Sequence, residues 1–362
     1  MKRLKVTVLM AVHNGEYYLH EAMESILRQS FCDFEFIIVD DASTDRTREL
    51  IFSFNDARVR LIENREKLGQ TRSLNRGLEV ASGEFVARQD ADDISEPERL
   101  AKQVAFLETH HELALLGTWY KKIDARGAEL AVRQLPCNWL EIRWALIFFC
   151  PFVHSSVMLR KTAVLEKVGI YNETFAYAQD YELWSRIAAQ LPVANLPEYL
   201  VRFRMSAGSM TSTYGEVAEN EIRRAAVANL AAIVDSEAAR RLAGSETELD
   251  NIRTLLFGDY RRLSASDAVA TSRRVLPLLH AFTQLHKDEP RDCRSLEKEI
   301  RSRIATRLIE IARRPDQNFI ALKELLLEAR RLQWAALLTA RSLGVSLKLA
   351  RSRFSQTNAV RI

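Results

Sequence analysis

Phe34-Glu35-Phe36-Ile37-Ile38-Val39-Asp40-Asp41-Ala42-Ser43-Thr44-Asp45 is an apolar run that ends in two acids and then in a row of helix-capping side chains. Phe34–Val39 is apolar almost throughout, the pattern of a parallel strand covered on both faces. Before it, Val6–Met10 reads as another buried strand. Glu16–Gln29 follows as a helix, with Tyr18, Leu19, Ala22, Met23, Ile26 and Leu27 at helical spacing. After it, Ser43, Thr44 and Asp45 offer N-caps for a helix to about Phe54. Val59–Ile62 is a third strand, Gln70–Ala81 a third helix ended by Ser82-Gly83, and Glu84–Ala87 a fourth strand running into Asp90-Ala91-Asp92-Asp93. This βαβαβαβ order predicts a parallel, doubly wound sheet.

Ser95-Glu96-Pro97-Glu98 has the S-x-x-E form of a capping box and predicts a helix to about His110. Residues 113–205 are mixed, with short apolar runs at Leu113–Trp119, Ser155–Leu159 and Tyr199–Phe203 and a helix from Asp180 to Gln190. From Glu216 onward the pattern is helical and amphipathic, and the Ser-, Thr-, Gly- and Met-rich residues 206–215 are the expected hinge.

The chain has 362 residues, is 47% hydrophobic and 28% charged, and so reads as an ordinary soluble globular protein of two domains or one large domain with an appendage. The net charge of +4 is uneven: from Arg331 onward there are six Lys/Arg and no Asp or Glu, which leaves −2 for residues 1–330. A basic nucleic-acid footprint over the whole protein is excluded. Cys32, Cys137, Cys150 and Cys293 are scattered, against a disulfide framework or zinc site and in keeping with a reducing compartment. No apolar run approaches the ~20 residues of a membrane span, and the N-terminus does not read as a signal peptide.

Open α/β sheets bind ligands at the carboxyl ends of their strands, where two of the acid clusters fall. Asp40-Asp41 could hydrogen-bond a base imide or a ribose hydroxyl; a capping loop after a strand, or a receiver-like acidic pocket, would look the same. In Asp90-Ala91-Asp92-Asp93, carboxylates at i and i+2 can grip one hard cation and leave positions for diphosphate oxygens and water, which suits Mg2+ or Mn2+. An EF-hand fails because Ile94 stands fifth and no Gly stands sixth. Asp180, in Ala178-Gln179-Asp180-Tyr181-Glu182-Leu183-Trp184, sits at a helix start, where the dipole is expected to keep its pKa low, as a base ionised at neutral pH requires. A plain N-cap is the alternative. Arg72 (or Lys67) could reach a phosphate at the third helix's N-terminus, or lie on a solvated face. His13 and His154 flank polar loops and could stack or ligate, although a lone His is more often structural.

Taken together, Val8-Leu9-Met10-Ala11-Val12-His13-Asn14, Ile38-Val39-Asp40-Asp41-Ala42-Ser43-Thr44-Asp45, Leu74-Asn75-Arg76-Gly77, Ala87-Arg88-Gln89-Asp90-Ala91-Asp92-Asp93 and Gln179-Asp180-Tyr181-Glu182-Leu183-Trp184 resemble the family 2 glycosyltransferases with the GT-A fold. The resemblance runs from Val6 to about Ser209. It implies an α/β GT-A domain, a Rossmann-like mixed sheet, whose residues 1–112 form a nucleotide-sugar-binding half and 113–215 an acceptor-binding half, followed by an all-helical region at 216–362. It implies inverting transfer of a single sugar from a nucleotide-diphospho-sugar, a UDP-sugar first among them, to a glycan or lipid-linked acceptor, with Mg2+ or Mn2+, in polysaccharide or glycolipid assembly. Ala11, His13 and Asp41 map to base-binding positions and Arg72 near the uracil or phosphate. Asp90 and Ala91 map by the ribose and diphosphate, Asp92 to the metal ligand, and Asp180 to the general base.

The chain departs from the family pattern at three places. Ala11-Val12-His13-Asn14 stands for the usual Pro-x-Tyr-Asn, Gln179-Asp180 for Glu-Asp, and Ser206 for a common His. The Gln-x-x-Arg-Trp signature of processive synthases is absent, which implies a non-processive enzyme. The expected location is cytoplasmic. The basic tail from Trp334 to Ile362 either packs as a terminal helix or lies on anionic lipid at the inner membrane face. Two rivals are a nucleotidyltransferase, for which the Ala11–Glu16 loop lacks a cation, and a non-catalytic scaffold.

Overall fold

The computed structural model describes residues 4–205, 215–234, 237 and 246–332. Ser206, most of the expected hinge and the basic tail lie outside the described residues. By internal contacts the chain divides into two units, Met1–Ala225 and Ala226–Ile362.

The first unit opens with β1 (Val6–Val12), α1 (Leu19–Leu27), β2 (Phe34–Asp40), α2 (Thr47–Ser53), β3 (Val59–Glu63), α3 (Gln70–Val80) and β4 (Phe85–Arg88). It continues through β5 (Ile94–Ser95), α4 (Arg99–Thr109), β6 (Leu115–Ile123), β7 (Glu129–Arg133), α5 (Trp139–Ala145), β8 (Met158–Arg160), α6 (Lys161–Lys167), α7 (Gln179–Gln190) and β9 (Val193–Arg204). These strands form one nine-stranded sheet in the order 3-2-1-4-8-6-9-5, with β7 against β6. β1 to β4 pair in parallel, as the alternating pattern predicts, whereas β8 is antiparallel to both neighbours and makes the sheet mixed.

Both faces of the first strands are buried, and the period of two decides which residue goes where. Leu9, Ala11, Ile37 and Val39 join Leu74, Leu78, Tyr181 and Trp184 on one face; Val8, Met10, Phe36 and Ile38 join Leu19, Met23, Leu100 and Val104 on the other. Gly77 lets α3 lie close to β1: a Cβ there would meet Leu9 Cδ1 at 2.2 Å.

Two local readings are corrected. Ser95 belongs to β5 and its hydroxyl donates to Gln89 Oε1 (2.7 Å), so it does not cap α4, which starts at Arg99 without a side-chain cap. α2 begins only at Thr47: Ser43 Oγ is taken by Asn14 N–H in the loop after β1, while Asp45 accepts both from Glu16 N–H in that loop and from Thr47 N–H (3.0 Å) at the helix start. The β7 hairpin, α5 and α6 had no counterpart in the sequence reading. The second unit is helical among its described residues, with α9 (Glu246–Leu256), α10 (Ala265–Leu285), α11 (Pro290–Ala312) and α12 (Phe319–Leu332) around Ile252, Leu279, Phe282, Ile304, Leu308 and Leu325. The helix α8 (Gly215–Ala231) starts in the first unit.

Candidate active site

The acid clusters stand side by side because β2, β1 and β4 are neighbours and their chains leave the sheet at the same end. Ala11 lies near the end of β1, and His13 follows it, with Nδ1 2.8 Å from the carbonyl oxygen of Asp41. Further bonds tie the loop to the segment after β2. Asn14 N–H donates to Ser43 Oγ (2.9 Å), Gly15 N–H to Thr47 Oγ1 (2.8 Å), Glu16 N–H to Asp45 (3.1 Å) and Thr44 N–H to Asn14 Oδ1 (2.8 Å). Asn14 and Ala42 carry left-handed φ of 53° and 56°, so this doubled loop holds some backbone strain.

Asp41 is buried. Its carboxylate accepts from Asn64 Nδ2 (2.7 Å), Leu68 N–H (2.7 Å) and Gly69 N–H (2.8 Å). Burial raises its pKa, but these bonds outweigh burial and leave it below the ordinary carboxylate range. Asp41 therefore fixes the 64–69 loop and the start of α3. Arg72, on the first turn of α3, is largely exposed and pairs with Glu173 at 3.2 Å.

The turn after β4 is heavily braced. Arg88, 1% exposed, donates to the carbonyls of Leu9 (2.6 Å) and Gln89 (2.7 Å), to His154 Nε2 (2.9 Å) and to the Asp90 carboxylate. Gln89 donates its amide to the carbonyls of Asp90 (3.2 Å) and Asp93 (2.7 Å). Arg99, fully buried, donates to Gln89, Ser95, Gln103 and the carbonyls of Arg88 and Val157. From the far edge of the sheet, Arg204 donates its N–H to Asp93 Oδ1 (2.8 Å) and its Nε to the carbonyl of Asp92 (2.8 Å), and its guanidinium pairs with Glu21.

These partners divide the three acids. Asp90 is held ionised: burial raises its pKa, but the Arg88 charge and the Ser155 hydroxyl outweigh burial. Asp93 is enclosed; burial, then Asp92 and Asp90, push it well above the usual range. The Ser155 hydroxyl lies 2.9 Å from Asp90 and 2.5 Å from Asp93 and has one proton to give, so a protonated Asp93 donating to Ser155 satisfies both contacts. Asp92 is the member whose side chain takes no hydrogen bond from another residue among the described residues, and burial together with Asp90 pushes it up to about 6. A carboxylate presented in that way, beside an ionised neighbour, fits a hard cation that keeps water and diphosphate oxygens. Among the described residues no group of three or more His, Cys, Asp and Glu forms a ready cage, so substrate oxygens would have to complete the shell. Ala91 packs between the two acids, against the α1 side of the core.

Asp180 occupies the first turn of α7 and joins the same constellation through two amides. Gln70 Nε2 donates to Asp90 Oδ1 (3.3 Å), and Gln70 Oε1 accepts from Gln179 Nε2 (2.7 Å). The expectation of a low pKa is overturned. Burial pushes the Asp180 carboxyl up to about 6; the Tyr181 N–H bond (2.7 Å) lowers it, the Asp90 charge raises it and Arg88 lowers it. The helix dipole is too weak to offset burial. His154 stands behind the turn between Tyr171 and Trp184. Burial, then Arg88, hold its pKa near 3, so the ring is neutral, accepting at Nε2 from Arg88 and from Tyr171 Oη (3.0 Å).

Sequence reasoning missed Gln70, Arg88, Ser155 and Arg204. Arg88 and Gln89 carry a signal, since charged and amide side chains at the end of an apolar strand must find buried partners. Ser155 and Arg204 carry none, because their partners are 65 and 111 residues away.

A sheet of this order with acids at the strand ends defines a nucleotide-sugar-type transferase fold, and the comparisons agree. Residues 7–169 match the family model described as Glycosyl transferase family 2. Among curated relatives, the chain is 37% identical to the putative glycosyltransferase EpsE of Bacillus subtilis over 55% of this chain and 73% of EpsE. It is 31% identical to the amylovoran biosynthesis glycosyltransferase AmsE of Erwinia amylovora over 58% of this chain and 79% of AmsE. Among solved structures, TarS of S. aureus (residues 1–349, with UDP-GlcNAc) superposes with a TM-score of 0.56 over 91% of both chains at 17% identity, a likeness of fold. The chain belongs to glycosyl transferase family 2 and has the GT-A fold; it is a glycosyltransferase.

Proposed function

We propose that the protein transfers a single sugar, with inversion, from a nucleotide-diphospho-sugar to an acceptor hydroxyl, and that it is non-processive. The observation that carries the reading is the amide bridge Asp90–Gln70–Gln179, which holds Asp180 within electrostatic reach of the Asp90 turn. Residues 1–112 serve the donor and residues 113–215 the acceptor. Ala11, His13 and the loop clamped by Asp41 bound the base, and Arg72 lies toward the phosphates; Asp90 and Ala91 border the ribose and diphosphate. Asp92 would hold Mg2+ or Mn2+, which when bound neutralises charge on the leaving diphosphate. Asp180 takes the proton from the attacking hydroxyl. With a pKa of about 6 it is largely ionised at neutral pH yet basic enough to drive the transfer. The bond from acceptor oxygen to anomeric carbon forms as the carbon–phosphate oxygen bond breaks on the opposite face.

A UDP-sugar donor is supported by the fold shared with TarS, whose complex carries UDP-GlcNAc. A place in cell-surface polysaccharide or glycolipid assembly, with a glycan or lipid-linked acceptor, completes the proposal; similarity to AmsE, named for amylovoran biosynthesis, supports its polysaccharide part. No helix among the described residues is long and apolar enough to cross a membrane. Peripheral contact through the basic tail, from the cytoplasmic side, remains part of the proposal.

The test is a panel of nucleotide-sugars assayed for transfer and for thermal stabilisation, with Mn2+, Mg2+ or EDTA. Metal-dependent stabilisation by one nucleotide-sugar and release of its nucleoside diphosphate are expected. Stabilisation by a nucleoside triphosphate with release of pyrophosphate would replace the reading with nucleotidyl transfer.

A further inference from the structure

We infer that Glu221, on the helix that follows the sheet, is the positioning residue for Asp180: it holds the turn carrying the base and sets that base's ionisation. This rests on the reading of Asp180 as the base. Glu221 is 7% exposed. Its two carboxylate oxygens accept from three successive backbone N–H groups, those of Ala176, Tyr177 and Ala178, each at 2.8 Å. Ala178 immediately precedes α7, and Asp180 stands on that helix's first turn. Three amides converging on one oxygen pair make an anion nest, and here the anion is a side chain delivered from α8.

The same turn is held at other points. One turn further along α8, the Arg224 guanidinium lies 4.3 Å from the centre of the Phe175 ring and donates to Thr174 O and Oγ1 (3.3 Å each). From α3, Thr71 Oγ1 donates to the carbonyl of Phe175 (2.7 Å), and Asn75 accepts from Tyr171 N–H (3.1 Å) and donates to its carbonyl (3.0 Å). Residues 171–178 thus have few free backbone groups, and Glu221 takes the three amides that lead into α7.

The charge of Glu221 matters as well as its reach. Asp180 faces Asp90 and Arg88 from the β4 turn, Cys150 from the loop before β8 and Tyr171 from the segment before α7. Glu221 adds a second negative group behind the same helix end and occupies amides whose dipoles would otherwise stabilise the Asp180 carboxylate. Removing that charge should lower the pH at which Asp180 ionises.

The experiment compares wild type, Glu221→Gln, Glu221→Asp and Glu221→Ala by kcat, donor KM and the pH profile of kcat, with Asp180→Asn in parallel. A base displaced by about 1 Å costs on the order of 100-fold in rate, so Glu221→Ala should lose roughly 10- to 100-fold in kcat. Glu221→Gln, which keeps one acceptor oxygen, should lose less, and Glu221→Asp should recover part of the charge effect. In Glu221→Gln the acid limb should move down by roughly half a pH unit or more. Donor KM should stay near wild type, because the donor turn hangs on β1 and β4. If Glu221→Ala does not fold, the Gln and Asp variants carry the same readouts. A fall in kcat with the acid limb unmoved, or unchanged kcat and limb in a folded Gln variant, overturns the inference. Wild-type turnover in Asp180→Asn would instead overturn the reading of Asp180 itself.

Discussion

Asp180→Asn separates catalysis from folding, because the same burial that tunes the base also costs stability. In the folded protein the Asp180 carboxyl titrates at about 6 against an ordinary 3.8. Each pKa unit is worth about 1.4 kcal/mol, so ionising Asp180 in place costs at most about 3 kcal/mol. The sign follows from the raised value. Below the unfolded pKa both states are protonated and the cost is absent; it grows as pH rises and is complete above the folded pKa. Asn carries no such cost. The variant should therefore approach wild-type stability as pH falls toward 4 and be more stable by about 1–3 kcal/mol at pH 8. For a domain of this size that is roughly 2–10 °C in Tm. Other groups titrate too, but alike in both proteins, so the difference isolates Asp180.

Activity should move the other way. A positioned base contributes about 10²–10⁴-fold, and the variant should lose that factor while binding donor normally. Wild-type kcat/KM should fall at least tenfold per unit below pH 6, since Asp92 as well as Asp180 is pushed up to about 6. Melting curves at pH 4.5 and 8, with transfer rates across the same range, test both halves. Wild-type turnover in the variant removes Asp180 as base. A Tm difference that is the same at both pH values shows that the carboxyl is not strained by burial.

Arg88→Met should destabilise by about 3–5 kcal/mol and abolish donor binding, since it strands Asp90 and the carbonyls of Leu9 and Gln89 together; chemical denaturation reads the first and ligand-induced melting the second. Asp93→Asn should keep near-wild-type stability and activity, because an amide can still accept from Arg204 N–H and donate to Ser155, whereas Asp92→Asn should lose metal-dependent turnover; equal losses in both would refute this division. Arg72→Ala should change stability by less than about 1 kcal/mol, its pair with Glu173 being exposed, and should raise donor KM several-fold; an unchanged KM removes Arg72 from the donor site. Gly77→Ala should cost about 1–3 kcal/mol by pushing α3 off Leu9, measured as a lower denaturation midpoint.

The sheet was legible where both its faces are buried. Val6–Met10 and Phe34–Val39 announce themselves because every residue but Thr7 and Glu35 is apolar, and even those two bond each other (2.7 Å). The acids at the strand ends were legible for a related reason: no packing role explains them. Local capping signals failed where a longer-range partner outbid the local one, as when Ser95 bonds Gln89 instead of the helix after it. The β7 hairpin was missed because Glu129–Arg133 is short and largely exposed, although Asp124-Ala125-Arg126-Gly127 contains its turn. Asp124 Oδ1 accepts from Arg126 and Ala128 N–H, and Gly127 has φ 85°. The ionisation of Asp180 was read with the wrong sign. A helix position is visible in sequence, but the depth of burial around it and the approach of Asp90 are products of the whole fold.

The three acids of the β4 turn show why an identical residue type does not mean an identical role. Spacing alone offers Asp90, Asp92 and Asp93 equally to a cation. Packing then gives Asp90 an Arg partner two residues away on its own strand end, and encloses Asp93 between Ser155 and the backbone of Arg204. Arg204 is the last residue of β9, so the turn is held from the final strand of the sheet. The part of the site that faces substrate is therefore what remains after the fold has taken the acids it needs. Asp92 and Asp180 both keep a raised pKa because their burial is offset by no ion pair of their own among the described residues.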